Sequence, residues 1–167
     1  MQLHWKRCRN FTSTGNHKIS HNYQSSVYFK GLTGITQEMV DTADTFRGVL
    51  DNFHQWLEKH KLGSKYKFAV VTDGPDDKKR FFSKQCELCS IPIPEYARKW
   101  INLRKLYRNI YKVKEGTLKD MVKKLGLKFE GRLHCGIDDA RNVARALQKM
   151  VEDGCEIKFN ENMNDNT

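Results

Sequence analysis

The residues best suited to chemistry lie in the stretch LHCGIDDARNVARAL, which covers residues 133–147. His134 stands five residues before Asp139, and Gly136 lies between them. A histidine can take a proton from water near neutral pH, and a carboxylate can bind Mg²⁺. The same spacing also fits a loop histidine followed by an ordinary helix cap. From these residues alone both interpretations stay open.

Asp73 is a second candidate, because it directly follows the apolar run from Tyr66 to Thr72. That run predicts a strand buried on both faces, and α/β sheets bind ligands at the carboxyl ends of their strands. The alternative is a turn aspartate, which is common in Asp-Gly pairs. Two metal ions about 4 Å apart could activate water and stabilise the leaving oxygen of a phosphodiester. Such a site normally needs about four carboxylates, of which Asp73 and Asp139 would supply two.

Helices and strands are predicted to alternate around these candidates, which indicates an α/β layered architecture. Acids, Thr117 and glycines stand where helix starts and stops are expected. The predicted elements are, in chain order, a helix from Thr45, a strand over 66–72, a helix after Asp77, a strand over 100–103, a helix capped by Thr117, a last helix opened by Asp138 or Asp139, and a short edge strand over 157–159.

The formal net charge of +10 favours a polyanionic partner. Between residues 98 and 128, eleven Lys or Arg residues stand against two acids, and Trp100, Tyr107 and Tyr111 are interleaved with them. Phosphates neutralised by basic side chains, with bases stacked on aromatic rings, are the physical basis of single-strand binding. The alternative is a solvated helix face whose aromatic residues belong to the core.

The composition indicates one globular domain rather than a disordered or membrane-spanning chain. The chain has 167 residues, of which 38% are hydrophobic and 30% charged. It contains no apolar run of the roughly 20 residues that a membrane helix needs. Its first residues lack the apolar region of a secretory signal. We therefore expect a protein of the cytoplasm, the nucleus or both, without a membrane partner.

Five short motifs occur in the order LTGIT, TDG, KWINLRK, HCGIDDARN and DGC. In this order they resemble the Eri-1/Snipper/3′ histone-mRNA exonuclease family, a branch of the DEDDh 3′→5′ exonucleases. The resemblance runs from about residue 19 to residue 163. It implies a ribonuclease H-like fold, with a mixed sheet flanked by helices. It also divides the chain into a divergent segment over 1–18, a partial exonuclease domain over 19–163 and a disordered tail over 164–167.

The resemblance implies a role for each candidate. His134 would be the general base, and Asp73 and Asp139 would bind metal in a two-Mg²⁺ site that could also accept Mn²⁺. The partner would be RNA, through single-stranded or structured 3′ ends. The residues expected to contact the terminal nucleotide or the RNA are Leu32, Thr33, Gly34, Ile35, Arg98, Lys99, Arg104 and Lys105.

One departure from the family concerns its first strand, which carries Asp-Phe-Glu-Ala-Thr or a close variant. This sequence has no Asp or Glu before Glu38, so the first two metal-binding acids are absent and the domain is expected to be N-terminally truncated. We expect weak metal binding and doubtful activity from this chain alone. The segment 66–72 would also lack its neighbouring strand. Two hypotheses follow: a metal-dependent 3′→5′ exoribonuclease, or an inactive RNA-binding and regulatory module.

Overall fold

A small mixed sheet and the helices packed around it make up the computed structural model, which describes residues 30–114 and 116–164. The predicted segment 1–18 and positions 165–167 lie outside the described residues. The helices are α1 (Gln37–Thr42), α2 (Phe46–Lys59), α3 (Ser83–Leu88), α4 (Leu103–Tyr111), α5 (Leu118–Lys124) and α6 (Gly136–Glu152). The strands are β1 (Val71–Thr72), β2 (Lys99–Asn102) and β3 (Glu161–Asn162). A π-helix covers Asp77–Phe82, and a 3₁₀-helix covers Glu95–Ala97.

The sheet has the order β1-β2-β3, so β2 is its centre. β1 runs parallel to β2, with Val71 opposite Ile101, and β3 runs antiparallel to β2, with Glu161 opposite Trp100. Only β2 pairs with β1 among the described residues, which leaves the other edge of β1 without a strand there.

Three of the predicted strands differ in extent or position from the observed ones. The segment 66–72 forms a strand only at Val71–Thr72, because a ladder extends only where a partner strand accompanies it. The predicted strand over 100–103 ends at Asn102, whose side chain accepts a hydrogen bond from the Lys105 N–H and so begins α4. The edge strand falls at Glu161–Asn162 rather than over 157–159.

Two of the predicted helix starts are confirmed, and one was misplaced. Thr45 caps α2 by accepting from the Gly48 N–H, and Thr117 caps α5 in a capping box with Asp120. The last helix begins at Gly136, so Asp138 and Asp139 lie in its first turn rather than at its cap.

The larger core cluster joins β2 to α4, α5 and α6. Its fully buried side chains include Leu103, Val122 and Met150. A second cluster, built on Phe46, Leu50 and Phe82, joins α2 to the π-helix. Removing a buried Leu or Met side chain from a core costs about 2–5 kcal/mol. Contacts of this strength hold the strands and helices together and so fix the strand ends where the candidate residues lie. No helix among the described residues is long and apolar enough to span a membrane.

Candidate functional site

Asp73 lies where β1 ends, and it pairs there with the first turn of α4. The Arg104 Nε donates to Asp73 Oδ1 at 2.8 Å, and Arg104 Nη2 donates to Asp73 Oδ2. The Arg104 main-chain N–H also donates to the Asp73 carbonyl at 3.2 Å. Both carboxylate oxygens of Asp73 therefore accept from one planar guanidinium, which compensates part of its charge. A metal ion at Asp73 would have to compete with Arg104.

Asp139 lies in the first turn of α6 and is half-buried. Its main-chain N–H donates to the Cys135 carbonyl at 2.8 Å, which fixes it to the start of the helix. Burial raises the pKa of its carboxyl, Asp73 and Asp138 raise it further by repulsion, and a main-chain hydrogen bond and the charge of His134 oppose the rise. The charges of Asp73 and Asp139 thus interact across the candidate site.

His134 lies on the turn that leads into α6, where its side chain is exposed. Its φ of 63° places it in the left-handed region, which few residues other than glycine adopt. The turn closes through the Cys135 N–H, which donates to the Arg132 carbonyl at 3.2 Å. Such backbone positions often coincide with functional sites, because the surrounding contacts must hold them.

Asn142, one helical turn beyond Asp138, holds the loop that carries His134. Its side chain is fully buried and makes a two-way contact with Glu130: the Glu130 N–H donates to Oδ1 at 3.1 Å, and Nδ2 donates to the Glu130 carbonyl at 2.8 Å. Nδ2 also donates to the Asp138 carbonyl at 2.8 Å. The Asp138 carboxylate in turn accepts from the Arg132 N–H at 3.0 Å. Two side chains of α6 therefore position the loop before His134.

The predicted nucleotide-binding segment Leu32–Ile35 is joined to the same loop. The Arg132 guanidinium donates to the Thr33 carbonyl. Gly34 has a φ of 73°, and a side chain at Gly34 would collide with that guanidinium. The positive φ favours glycine at this point, whereas the guanidinium is the far end of a flexible side chain that could move aside. The structure thus places Leu32–Ile35 beside the loop that leads to His134.

Asp77 is a candidate that the sequence indicated only as part of an acidic helix start. It begins the π-helix, and π-helical turns are frequent at functional sites. Asp77 is exposed, but the surrounding protein restricts the solvation of its carboxyl and so raises the pKa of that carboxyl. The hydrogen bond from the Gly74 N–H lowers the pKa, and repulsion from Asp73 raises it. Unlike Asp73, it has no ion pair among the described residues. A second acid four residues beyond a strand-end aspartate was the signal available in the sequence.

The carboxylates do not complete a metal site. In the described part of the chain, no three His, Cys, Asp or Glu side chains are grouped so that they could bind a metal ion. Mg²⁺ requires near-octahedral oxygen coordination, and Asp73 is already engaged by Arg104. The described residues therefore do not fit a bound metal by themselves.

Comparison with known proteins identifies the family of this chain. The family model described as "Exonuclease" matches residues 17–147. The chain belongs to this exonuclease family. It is 46% identical over 144 residues to the human 3′-5′ exoribonuclease 1, with 85% of this chain and 41% of that protein covered. It is 34% identical over 143 residues to 3′-5′ exonuclease Snipper of Drosophila melanogaster, with 77% and 50% covered.

Solved structures of exonucleases have the same fold. The nuclease domain of 3′hExo, a DEDDh family member bound to rAMP, is 47% identical with a TM-score of 0.78, covering 80% of this chain and 68% of that chain. A 3′-exonuclease that recognises the histone mRNA stem-loop gives 45% identity and the same TM-score, covering 80% and 60%. The ribonuclease H-like fold is thus confirmed. The chain spans 41% to 50% of the length of the two curated relatives above.

In this exonuclease chain the four basic residues predicted to bind RNA do not form one patch. Arg98, which pairs with Glu95 at 3.1 Å, and the exposed Lys99 lie at the start of β2, about 13 Å along the strand from α4. Lys105 contacts the buried Glu161 at 3.3 Å. With Arg104 on Asp73, two of the four basic side chains are held by acids at the carboxyl end of β2.

The interleaved aromatic residues pack in or against the core, which was one of the two interpretations that the sequence left open. Trp100 is fully buried, Tyr107 is 8% exposed, and the rings of Tyr107 and Tyr111 lie 4.7 Å apart. Aromatic residues four apart on a helix share a face, and here that face packs into the core. The alternative of core aromatics was correct for these three residues.

Proposed function

We propose that this chain is the nuclease part of a 3′→5′ exoribonuclease that hydrolyses the last phosphodiester of an RNA 3′ end. The observation that carries the proposal is the placement of His134 and Asp139 on one loop and helix start, close enough to Asp73 for its charge to act on Asp139, in a chain of the exonuclease family. The names of its relatives, 3′-5′ exoribonuclease 1 and a 3′-exonuclease of histone mRNA, support RNA as the substrate.

His134 is proposed to act as the general base. Its exposed ring can take a proton from a water molecule that attacks the terminal phosphorus, while the bond from phosphorus to the 3′ oxygen of the preceding nucleotide breaks. The leaving oxygen is then protonated. Asp139 lies five residues after His134 and accepts a hydrogen bond from its main chain, so it fixes the position of the base relative to the phosphate.

The family implies dependence on a divalent metal, and we propose Mg²⁺, with Mn²⁺ as an alternative. Asp139 and Asp77 are the carboxylates with the strongest claim, because Asp73 is paired with Arg104. Since the described residues do not complete the site, we derive no catalytic step through a metal in this chain. We propose instead that two further carboxylates, which residues 1–37 do not contain, are needed for full activity.

We further propose that Leu32–Ile35 borders the terminal nucleotide, because Arg132 ties this segment to the His134 loop. Arg104 is proposed to alternate between Asp73 and an RNA phosphate, since a guanidinium binds both in the same bidentate geometry. Lys105, Arg98 and Lys99 are proposed as more distant phosphate contacts. The domain is proposed to cover 19–163, and the protein to reside in the cytoplasm, the nucleus or both.

Digestion of RNA labelled separately at its 3′ and 5′ ends tests the function. We would compare the 167-residue chain with a fusion that supplies an upstream Asp-x-Glu strand, each with Mg²⁺ and with a chelator. The expected result is stepwise 3′ shortening by the fusion that His134→Ala and Asp139→Asn abolish, whereas Asp153→Asn serves as an unaffected control. If neither protein cuts RNA and both bind it without metal, the exoribonuclease proposal fails and the binding module is correct.

A further inference from the structure

An exposed aromatic and basic surface lies at the end of α2 and in the loop that follows it. It is distinct from the core aromatics of α4, because its rings face outward. We call it the distal surface and define it by Trp56, Lys59, Lys61, Lys65, Tyr66 and Lys67.

Its two outermost rings are available for contact. Trp56 is 49% exposed and Tyr66 is 51% exposed. Trp56 is held in place by Phe53, whose ring lies 5.9 Å away at an interplanar angle of 11°, and by His60 at 4.7 Å. The Lys65 ammonium lies 5.3 Å from the centre of the Tyr66 ring. The surface therefore presents supported rings together with cationic groups.

The loop that carries Tyr66 is closed by its own main chain. The Lys61 carbonyl accepts from the Lys65 N–H at 3.1 Å and from the Tyr66 N–H at 2.9 Å. The Gly63 N–H donates to the Tyr66 carbonyl at 2.7 Å, in a turn where Gly63 has a φ of 90°. Because these hydrogen bonds already close the loop, the protein loses little conformational entropy when a ligand stacks on Tyr66.

The charge of the distal surface is uncompensated. All four of its lysines are exposed, and none of them forms an ion pair with another described residue. Between residues 52 and 72 the only acid is Glu58. Unpaired cations beside exposed rings favour a ligand with phosphates and stackable planar groups, which distinguishes a nucleic acid from an apolar protein segment.

The distal surface shares no residue with the catalytic site and precedes Asp73, Asp77, His134 and Asp139 along the chain. Tyr66 precedes Asp73 by seven residues, and Val70 already bonds to β2 through its carbonyl at 3.0 Å. At about 3.3 Å per extended residue, the two can be up to about 23 Å apart along the chain direction. A strand whose 3′ end lies at His134 could reach the distal surface only with nucleotides further from that end.

We propose that the distal surface binds single-stranded RNA upstream of the terminal nucleotide, with bases on Trp56 and Tyr66 and phosphates on the surrounding lysines. The proposal rests on the proposed function for the choice of RNA. It predicts that a long RNA gains affinity from this surface and that a very short one does not.

Fluorescence anisotropy tests this with the 167-residue chain in a chelator, so that no RNA is cut. The RNAs have about four and about twelve nucleotides, which bracket the length needed to leave the site. Tyr66→Ala should weaken binding of the longer RNA about 5- to 150-fold and leave the shorter one unchanged. Lys65→Gln combined with Lys67→Gln should reduce the salt slope of log K by about 1.4. Matched controls are Phe159→Ala, whose ring is 54% exposed elsewhere, and Lys84→Gln with Lys158→Gln, two exposed lysines outside residues 98–128.

The outcomes separate this proposal from the proposed function. Loss of long-RNA affinity in both distal variants, with unchanged controls, supports the distal surface even if no cleavage is ever found. Wild-type affinity and salt slope in both variants overturn it, even if His134→Ala abolishes cleavage. The lysine pair is exposed and needs no repacking, so it gives a result even if circular dichroism shows that Tyr66→Ala is unfolded. Equal losses for the short and the long RNA also overturn it.

Discussion

Lys78 gives the sharpest test of the energetics, because its amine is buried and forms no ion pair with an acid among residues 30–114 and 116–164. The side chain is 5% exposed, in the π-helix beside Asp77, and its ammonium lies 4.1 Å from the centre of the Phe82 ring. Burial lowers the pKa of Lys78 from 10.5 to about 8. We predict that Lys78→Met, which keeps an unbranched apolar stem, makes the protein more stable at neutral pH.

The magnitude follows from the pKa. One pKa unit corresponds to about 1.4 kcal/mol, so lowering the pKa from 10.5 to about 8 costs the folded state about 3 kcal/mol when the amine is protonated. The cation–π contact with Phe82 offsets part of the gain from substitution, by about 0.5–2 kcal/mol. We therefore expect Lys78→Met to raise the free energy of unfolding at pH 7 by about 1–3 kcal/mol.

The pH dependence gives the sign independently. Between about 8 and 10.5 the unfolded chain binds more protons at this lysine than the folded protein does, so stability should rise with pH across that window. In Lys78→Met that rise should be absent. Urea unfolding at several pH values between 7 and 9.5 measures both effects, with the exposed Lys84→Met as a control that changes stability by less than about 0.5 kcal/mol. The reasoning is refuted if Lys78→Met is no more stable at pH 7 and shows the same pH dependence as the wild type.

Three further predictions concern the loop, a helix cap and the half-buried acid. Asn142→Ala leaves the Glu130 N–H, the Glu130 carbonyl and the Asp138 carbonyl without this partner, so the free energy of unfolding in urea should fall by about 2 kcal/mol or more. An unchanged urea midpoint would contradict the role of these hydrogen bonds. Thr117→Ala breaks the capping box of α5 and should cost about 1 kcal/mol in the same assay, whereas the exposed Lys119→Ala should cost almost nothing. Asp139→Asn should abolish cleavage and raise the melting temperature at pH 7. Burial raises the pKa of this carboxyl, so its ionisation destabilises the folded state as the pH rises through that pKa, and asparagine removes the ionisation. A lower melting temperature would show that the charge of Asp139 is compensated by its surroundings.

Much of the layout could be predicted from the sequence, because local signals determine it. The caps at Thr45 and Thr117 are side chains that bond to nearby N–H groups, so their effect is visible in a short window. The position of His134 on the loop before the last helix followed in the same way from the glycine and acids around it, although that helix begins at Gly136, before Asp138 and Asp139.

The rest depends on contacts between distant residues. The pair formed by Asp73 and Arg104 spans 31 positions, and nothing near either residue indicates it. β1 is short because of what lies beside it in space, although its apolar run suggested seven residues. Tyr107 and Tyr111 matched the composition of an RNA-binding segment, but only the packing of α4 shows that Tyr107 is buried in the core and Tyr111 packs against it.

The hydrogen bonds by which Asn142 holds the His134 loop affect how the site assembles during folding. Those between Asn142 and Glu130 span 12 positions of the chain, whereas the pair of Arg104 with Asp73 spans 31. Closing the longer loop costs about 0.8 kcal/mol more in chain entropy, since that cost grows with the logarithm of length. Local contacts also form faster than distant ones. The base and the acid beside it are therefore expected to come together as one early, self-contained unit, and the strand-end aspartate to join them later.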